Sequence, residues 1–333
     1  MRTEIWRERQ VLVTGATGFV GRALVRRLSR EGARVRALVH TPSKAERIEG
    51  LDGVVPVTGD LTDPEAMAEA VRDVRVVVNS AAALRGSEGQ QERINITGTR
   101  ILAEAAAGAG VDRFVHISSV AVYGFQPGAR LDESSKAPPG TYTYGRTKAG
   151  AERSVREVAA GTGLPMCIVR PGTIYGPEAR TWSGRLFGWS QRRPLWLPAG
   201  GRGTVPYIHV DDVVDLCLVC ADHPAAVGEA LNVVMDPPPT LREVLGAWAR
   251  LTGEPRFLTL PTGLLRPIAW LLAHTGDPDS PRRQAPTVLR MLGEPTRWPM
   301  DKARDRLGWS PRVALEEGVR GCVPWLREKG LLP

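Results

Sequence analysis

Tyr144 and Lys148 stand four residues apart in Thr143-Tyr-Gly-Arg-Thr-Lys148, a spacing that puts both on one face of a helix. A tyrosine hydroxyl titrates near 10, too high for a general base at neutral pH. A cation held beside it favours the phenolate. Lowering the pKa by about 3 units takes about 4 kcal/mol of differential stabilisation, and Lys148, one turn on, can supply part of that charge. Ser119 follows an expected strand, Arg113 to Ile117, and can hydrogen-bond the substrate oxygen and hold it in line. Together Ser119, Tyr144 and Lys148 would pass a proton to a ketone or take one from a secondary alcohol. Tyr-x-x-x-Lys alone matches often by chance, so its weight rests on the rest of the chain.

The elements that must position these groups begin near the N-terminus. Gln10 to Val13 is a short run with two β-branched residues, as a buried strand requires. Thr14-Gly-Ala-Thr-Gly-Phe-Val-Gly21 follows, with glycines at 15, 18 and 21. Gly15 permits a turn with positive φ. Gly18 lets a pyrophosphate approach the backbone, and Gly21 lets the following helix lie against the strand. Gly15, Thr17, Gly18, Phe19 and Val20 are therefore candidate cofactor ligands at a helix N-terminus that favours anions. The G-x-x-G-x-x-G spacing departs from the commoner G-x-G-x-x-G. A nicotinamide held there would exchange hydride while Tyr144 handles the proton.

Further strands are expected at Arg34–Val39, Val54–Val57, Arg75–Val78, Arg113–Ile117 and Leu164–Arg170, alternating with helices. That alternation predicts an α/β fold, a doubly wound parallel sheet of Rossmann type with ligands at the strands' carboxyl ends. The second strand ends without an acid for a ribose 2′-hydroxyl. His40, Ser43, Lys44 and Arg47 stand there instead, which favours NADP over NAD. Asp60, in Gly59-Asp60-Leu61, can accept from an adenine amino group or cap the helix near Pro64. Ala81 and Ala82 leave room for a flat cofactor at the fourth strand end. Gln90 to Ala107 reads as one long helix. Residues 1–177 form the expected cofactor domain, and 178–333 a smaller, mostly helical substrate region. Within the latter, 205–235 returns to the sheet, with a strand at Ala230 to Val234. Leu315 to Leu326 reads as helical, and most of the tryptophans of this half as ordinary core packing.

Composition narrows the partners. The net charge is +8, but only five of the 44 basic residues are lysines, and the arginines are scattered among acids rather than gathered in one run. Nucleic acid is not the expected partner. Cys217 and Cys220 fall on an apolar helical face, and no second pair is placed to complete a zinc site, so no metal is expected. With no secretory leader pattern and no apolar run long enough to span a membrane, core thiols in a cytoplasmic protein are expected.

The chain resembles the extended short-chain dehydrogenase/reductase superfamily, also described as the NAD-dependent epimerase/dehydratase family. The resemblance runs nearly end to end. It rests on the glycine loop, Gly59-Asp60-Leu61, Ala81-Ala82, Asn95-x-x-Gly98-Thr99, Ser118-Ser119-x-x-x-Tyr123-Gly124, Tyr144-x-x-x-Lys148, Arg170-Pro171-Gly172, His209-Val210-Asp211-Asp212 and Leu307-Gly-Trp-Ser-Pro311. It implies Tyr144 as acid/base, Lys148 as its partner and a ribose ligand, Ser119 as ligand of the substrate oxygen, and Pro171 and Ile174 beside the cofactor. Asn95 is implied to shape its helix. Fold does not settle function. Thr173 stands where nucleotide-sugar enzymes usually carry Asn, and Thr204-Val-Pro-Tyr207 lacks their usual cation. The second half looks more like the hydroxysteroid-dehydrogenase branch, which implies an apolar or alicyclic substrate. The alternatives are a nucleotide-sugar epimerase or dehydratase and a non-catalytic NADP-binding redox sensor. Glu133 is a weak candidate for the acid of a dehydratase, and reads better as a loop surface residue. Gly263 to Ala273 suits a lid packed on the core better than a contact with a membrane surface. A homodimer through helices Gln90–Ala107 and Tyr142–Ala160 is expected by analogy.

Overall fold

The computed structural model describes residues 3–138, 141–275 and 284–332. Among these the strands are β1 (Gln10–Thr14), β2 (Arg34–Val39), β3 (Val54–Thr58), β4 (Val76–Asn79), β5 (Arg113–Ile117), β6 (Met166–Pro171), β7 (Thr173–Tyr175), β8 (Leu195–Pro198), β9 (Tyr207–His209), β10 (Ala230–Val233) and β11 (Phe257–Leu260). Seven of them make one sheet in the order β10-β6-β5-β4-β1-β2-β3, every neighbouring pair parallel. The winding reverses between β1 and β4, which opens a crevice at the carboxyl ends of those strands.

Strand β1 shows why the sheet is covered on both faces. Val11 and Val13 pack with helices Phe19–Arg30 and Val210–Asp222, while Leu12 faces helices Thr99–Gly108 and Thr143–Thr162. All three side chains are fully buried. Cutting Leu12 to alanine would cost about 2–5 kcal/mol. Two glycines then fix the turn. Gly15 has φ of 61°, and a Cβ on Gly21 would stand 2.1 Å from the Gly15 carbonyl oxygen. Any side chain at 21 would push the helix off the strand.

Beyond β6 the chain builds a second core against the sheet edge. Strands β7 and β9 pair, as do β8 and β11, and helix Leu241–Ala249 is fastened at its start by a Thr240–Glu243 capping box. Tyr175 and Tyr207 stack at 4.1 Å, and Trp248 Nε1 donates to the Tyr207 hydroxyl at 3.1 Å. Strand β10 rejoins the main sheet beside β6.

Several local expectations differ from the structure. The helix expected over Gln90–Ala107 is α-helical at Glu88–Glu92, widens to a π turn over Arg93–Gly98, and resumes at Thr99–Gly108. Asn95 sits in that widened turn. Leu315–Leu326 is two helices, Leu315–Gly321 and Val323–Glu328, because Pro324 fits only the first turn of a helix. Asp60 does not cap the helix Pro64–Ala70: Asp63 does, accepting from the amides of Glu65 and Ala66. Glu133 is half-buried and accepts from Asn232 N at 2.9 Å, so it is no free loop acid. Trp248, Trp298, Trp309 and Trp325 are core residues as expected, but Trp182, Trp196 and Trp270 are exposed. Helix Thr262–His274 is not packed on the core: its larger apolar side chains point outward, and it leans on helix Ala285–Met291.

Candidate active site

The carboxyl edge of the sheet collects the residues singled out by the sequence. Gly15, Thr17, Gly18, Phe19 and Val20 follow β1, Ala81 and Ala82 follow β4, and Ser119 follows β5. Pro171 ends β6, with Ile174 just beyond in β7. His40 and Lys44 follow β2, and Asp60 and Leu61 follow β3.

The glycine loop fits a dinucleotide. The helix Phe19–Arg30 opens at Gly18 with no side chain capping its amides and no acid in its first turn. Those amides and the helix dipole are thus left for an anion. Guanidinium groups flank the loop. Arg47 donates to the Thr17 carbonyl at 3.5 Å. Arg22 and Arg26 both bind Glu178, at 2.5 and 2.8 Å, and Glu178 itself holds a left-handed backbone at φ 71°. Burial lowers the pKa of Arg22, and the neighbouring charges of Arg26, Arg47 and Arg180 lower it further. This basic cluster was not legible in the sequence, since Glu178 lies far from the loop along the chain.

At β2 the His40 ring is exposed, with Nδ1 3.9 Å from Asp60 Oδ2. Asp60 Oδ1 accepts from the backbone and hydroxyl of Thr62, both at 2.9 Å, which keeps this carboxyl below its usual range. Lys44 is exposed on the short helix Pro42–Ile48. The Leu61 side chain is buried beneath Gly98, so only its backbone can face a ligand.

Ser119 starts the short helix Val120–Tyr123, its hydroxyl accepting from Ala121 N at 3.1 Å. The same hydroxyl lies near enough to the Tyr144 phenol to lower its pKa. Burial pushes the Tyr144 pKa well above the ordinary phenol value, Tyr142 adds to that, and the bond from Ser119 opposes it. Lys148 is fully buried, and burial brings its pKa down to about 8 against the pull of Glu152. Its Nζ donates to the Ile117 carbonyl at 2.6 Å and lies 3.3 Å from His116 Nε2. The lysine is therefore anchored under the end of β5, on Ile117 and His116.

The sequence reading missed the polar row behind Lys148. Thr14, Asn79 and His116 are register neighbours on β1, β4 and β5. The Thr14 hydroxyl donates to Asn79 Oδ1 at 2.6 Å and accepts from Ala81 N at 3.2 Å. Asn79 Nδ2 lies 3.2 Å from both Thr99 Oγ1 and His116 Nδ1. Burial and the Lys148 charge hold His116 neutral. The signal was present: in each strand an apolar run of two or three residues is followed by one polar residue at or next to the carboxyl end.

Two motifs prove structural in their side chains. Arg170 binds Glu152 through two nitrogens, at 2.9 and 2.6 Å, and also reaches the Tyr123 hydroxyl and the Glu133 carbonyl. Ser118 donates to the same Glu152 at 2.5 Å. This buried pair ties β5, β6 and the Tyr144 helix together directly beneath Ser119. His209 caps helix Val210–Asp222 through the Asp211 amide, and Asp212 accepts from the amides of Arg312 and Val313. Asn95 clamps Ala83 through both its amide N and carbonyl O and binds Thr147, beside Lys148.

Residues 11–234 match the model of the NAD dependent epimerase/dehydratase family. "Sterol demethylase protein B" of Methylococcus capsulatus is 33% identical, over 96% of this chain and 99% of its own. The "UDP-glucose 4-epimerase" of Mycolicibacterium smegmatis is 30% identical, over 96% and 99%. Among solved structures, MoeE5 in complex with UDP-glucose and NAD superposes with a TM-score of 0.73 at 26% identity, over 96% of this chain and 99% of that one. With the fold, the glycine crevice and the Ser119–Tyr144–Lys148 set, these matches place the chain in the NAD-dependent epimerase/dehydratase family of the extended short-chain dehydrogenase/reductase superfamily.

Proposed function

We propose that this protein is an NADP-dependent oxidoreductase that interconverts a secondary alcohol and a ketone on an apolar or alicyclic substrate. The observation that carries the reading is the Ser119–Tyr144 hydroxyl pair at the end of β5, facing the crevice of the glycine loop, with Lys148 one helical turn behind. Gly15, Thr17, Gly18, Phe19 and Val20 would hold the pyrophosphate, Ala81, Ala82, Asp60 and Leu61 the adenosine side, and Pro171, Ile174, Tyr144 and Lys148 the nicotinamide and its ribose. A bound nicotinamide supplies or accepts the hydride. Ser119 orients the substrate oxygen. Tyr144, kept protonated at neutral pH by burial, gives its proton to that oxygen when a ketone is reduced. In the reverse direction it takes the proton back, and then it needs cationic help that only a turned Lys148 or the cofactor can bring. His40, Lys44 and Arg47 form the basic side on which a 2′-phosphate would sit.

The similarity to a protein named for sterol demethylation supports an apolar substrate. The similarity to a UDP-glucose 4-epimerase favours the second reading, a nucleotide-sugar epimerase or dehydratase. Local packing weighs against it. Thr173 brings no side-chain amide, and the Tyr207 ring is buried against Tyr175, so Tyr207 offers no contact to a diphosphate. The test is cofactor absorbance with alicyclic alcohols, sterols and UDP-glucose, on the natural protein and on Tyr144→Phe. We expect net reduction of NADP by an apolar alcohol. Tyr144→Phe should lose about 10²–10⁴-fold in turnover, while cofactor binding, held mainly at the glycine loop, stays nearly intact. Isomerisation of UDP-glucose without net cofactor reduction would overturn the reading.

A further inference from the structure

Helix Thr262–His274 wears its amphipathicity inside out. Leu265, Ala269 and Ala273 turn toward the protein, and Ala269 is the one buried residue of the helix. Leu264, Ile268 and Leu271, at helical spacing, point to solvent and are 67%, 56% and 54% exposed. Trp270 is exposed beside them and stacks on His274 at 4.5 Å. A row of large apolar side chains facing water is costly unless something covers it.

Three features favour a lipid bilayer as the cover. At 13 residues the helix is about 20 Å long, well short of the roughly 20 residues needed to span a bilayer but suited to lying in its surface. The helix itself carries one charged residue, Arg266, and no acid, so it presents a cation and no anion to an anionic surface, with Glu254 the nearest acid before it in sequence. The Trp270–His274 pair at the helix end has the apolar body and polar tip that settle at headgroup level. We propose that helix Thr262–His274 docks this protein on an anionic bilayer, lying in the plane of the headgroups with Leu264, Ile268 and Leu271 inserted. The docking goes beyond the reaction proposed above and does not rest on it.

Flotation of the full-length protein tests it, with vesicles of phosphatidylcholine alone and of phosphatidylcholine with phosphatidylglycerol in equal parts. The protein should float with the mixed vesicles, much less with the neutral ones, and less again at high salt. Replacing Leu264, Ile268 and Leu271 together by serine should lower the bound fraction at least about tenfold, with cofactor binding unchanged as the check that the variant is folded. A measurement on the natural sequence stands beside it: brominated acyl chains should quench tryptophan emission, and Trp270→Phe should remove that quenching. Failure of the natural protein to float, equal flotation on neutral vesicles, or full flotation of the triple variant would each overturn the proposal. So would a dimer in light scattering that the triple variant converts to monomer with no flotation, since the patch would then belong to a second copy of the chain.

Discussion

Lys148→Met is the variant that most directly tests how the site is built. The ammonium is fully buried, and its pKa falls from 10.5 to about 8 through burial. The folded chain therefore releases this proton before the unfolded chain does. Between pH 8 and 10.5 the unfolded state binds more protons, so stability rises with pH in that window. Below pH 8 the full penalty is in force. A drop of about 2.5 units corresponds to a contribution on the order of 3 kcal/mol against folding at pH 7. Methionine keeps the volume and discards the charge, at the cost of leaving the Ile117 carbonyl without its donor, about 1–3 kcal/mol. The pH-independent loss shifts the whole curve; the titration changes its shape. Urea denaturation of cofactor-free protein at pH 7, 8, 9 and 10 separates the two. The stability difference, Lys148→Met minus natural, should be most favourable to the variant at pH 7 and should fall by up to about 3 kcal/mol as pH approaches 10.5. Parallel curves across that range would refute the buried-ammonium account, because they would mean that the lysine titrates alike folded and unfolded.

Other expectations follow from the same contacts. Glu152→Gln strands the Arg170 guanidinium in the core and should cost about 3–5 kcal/mol in chemical denaturation, whereas Glu152→Gln with Arg170→Met should recover much of that. Arg47→Ala should weaken NADP more than NAD in isothermal titration, by about tenfold, and equal losses would mean that Arg47 serves only the glycine loop.

The sequence carried the backbone frame well because its signals were local. A glycine whose Cβ would strike a carbonyl, or a valine run before a turn, needs no knowledge of distant residues. The helices around Tyr144 and Leu241 were legible for the same reason. What escaped depended on neighbours far along the chain. The π turn at Asn95 coincides with its two hydrogen bonds to Ala83, and the anchoring of Lys148 on His116 requires β5 and the Tyr144 helix to be in place together. The Tyr144–Lys148 spacing placed both residues on one helix, but spacing alone could not say where the amine points. The Arg170-Pro171 motif could be seen in the sequence, while the inward turn of its guanidinium onto Glu152 could not.

The row Thr14–Asn79–His116 has an evolutionary consequence. Each member gives and takes a fixed number of hydrogen bonds with the next, so replacing one alone strands a polar group at the centre of the sheet. Replacing all three with apolar residues of matching volume leaves no member of the row stranded, only its outer partners, the Ala81 amide, Thr99 and Lys148. Sequence change at these positions is therefore expected in blocks: related chains should keep the row whole or exchange it whole, and the three sites should drift together although they lie on three different strands.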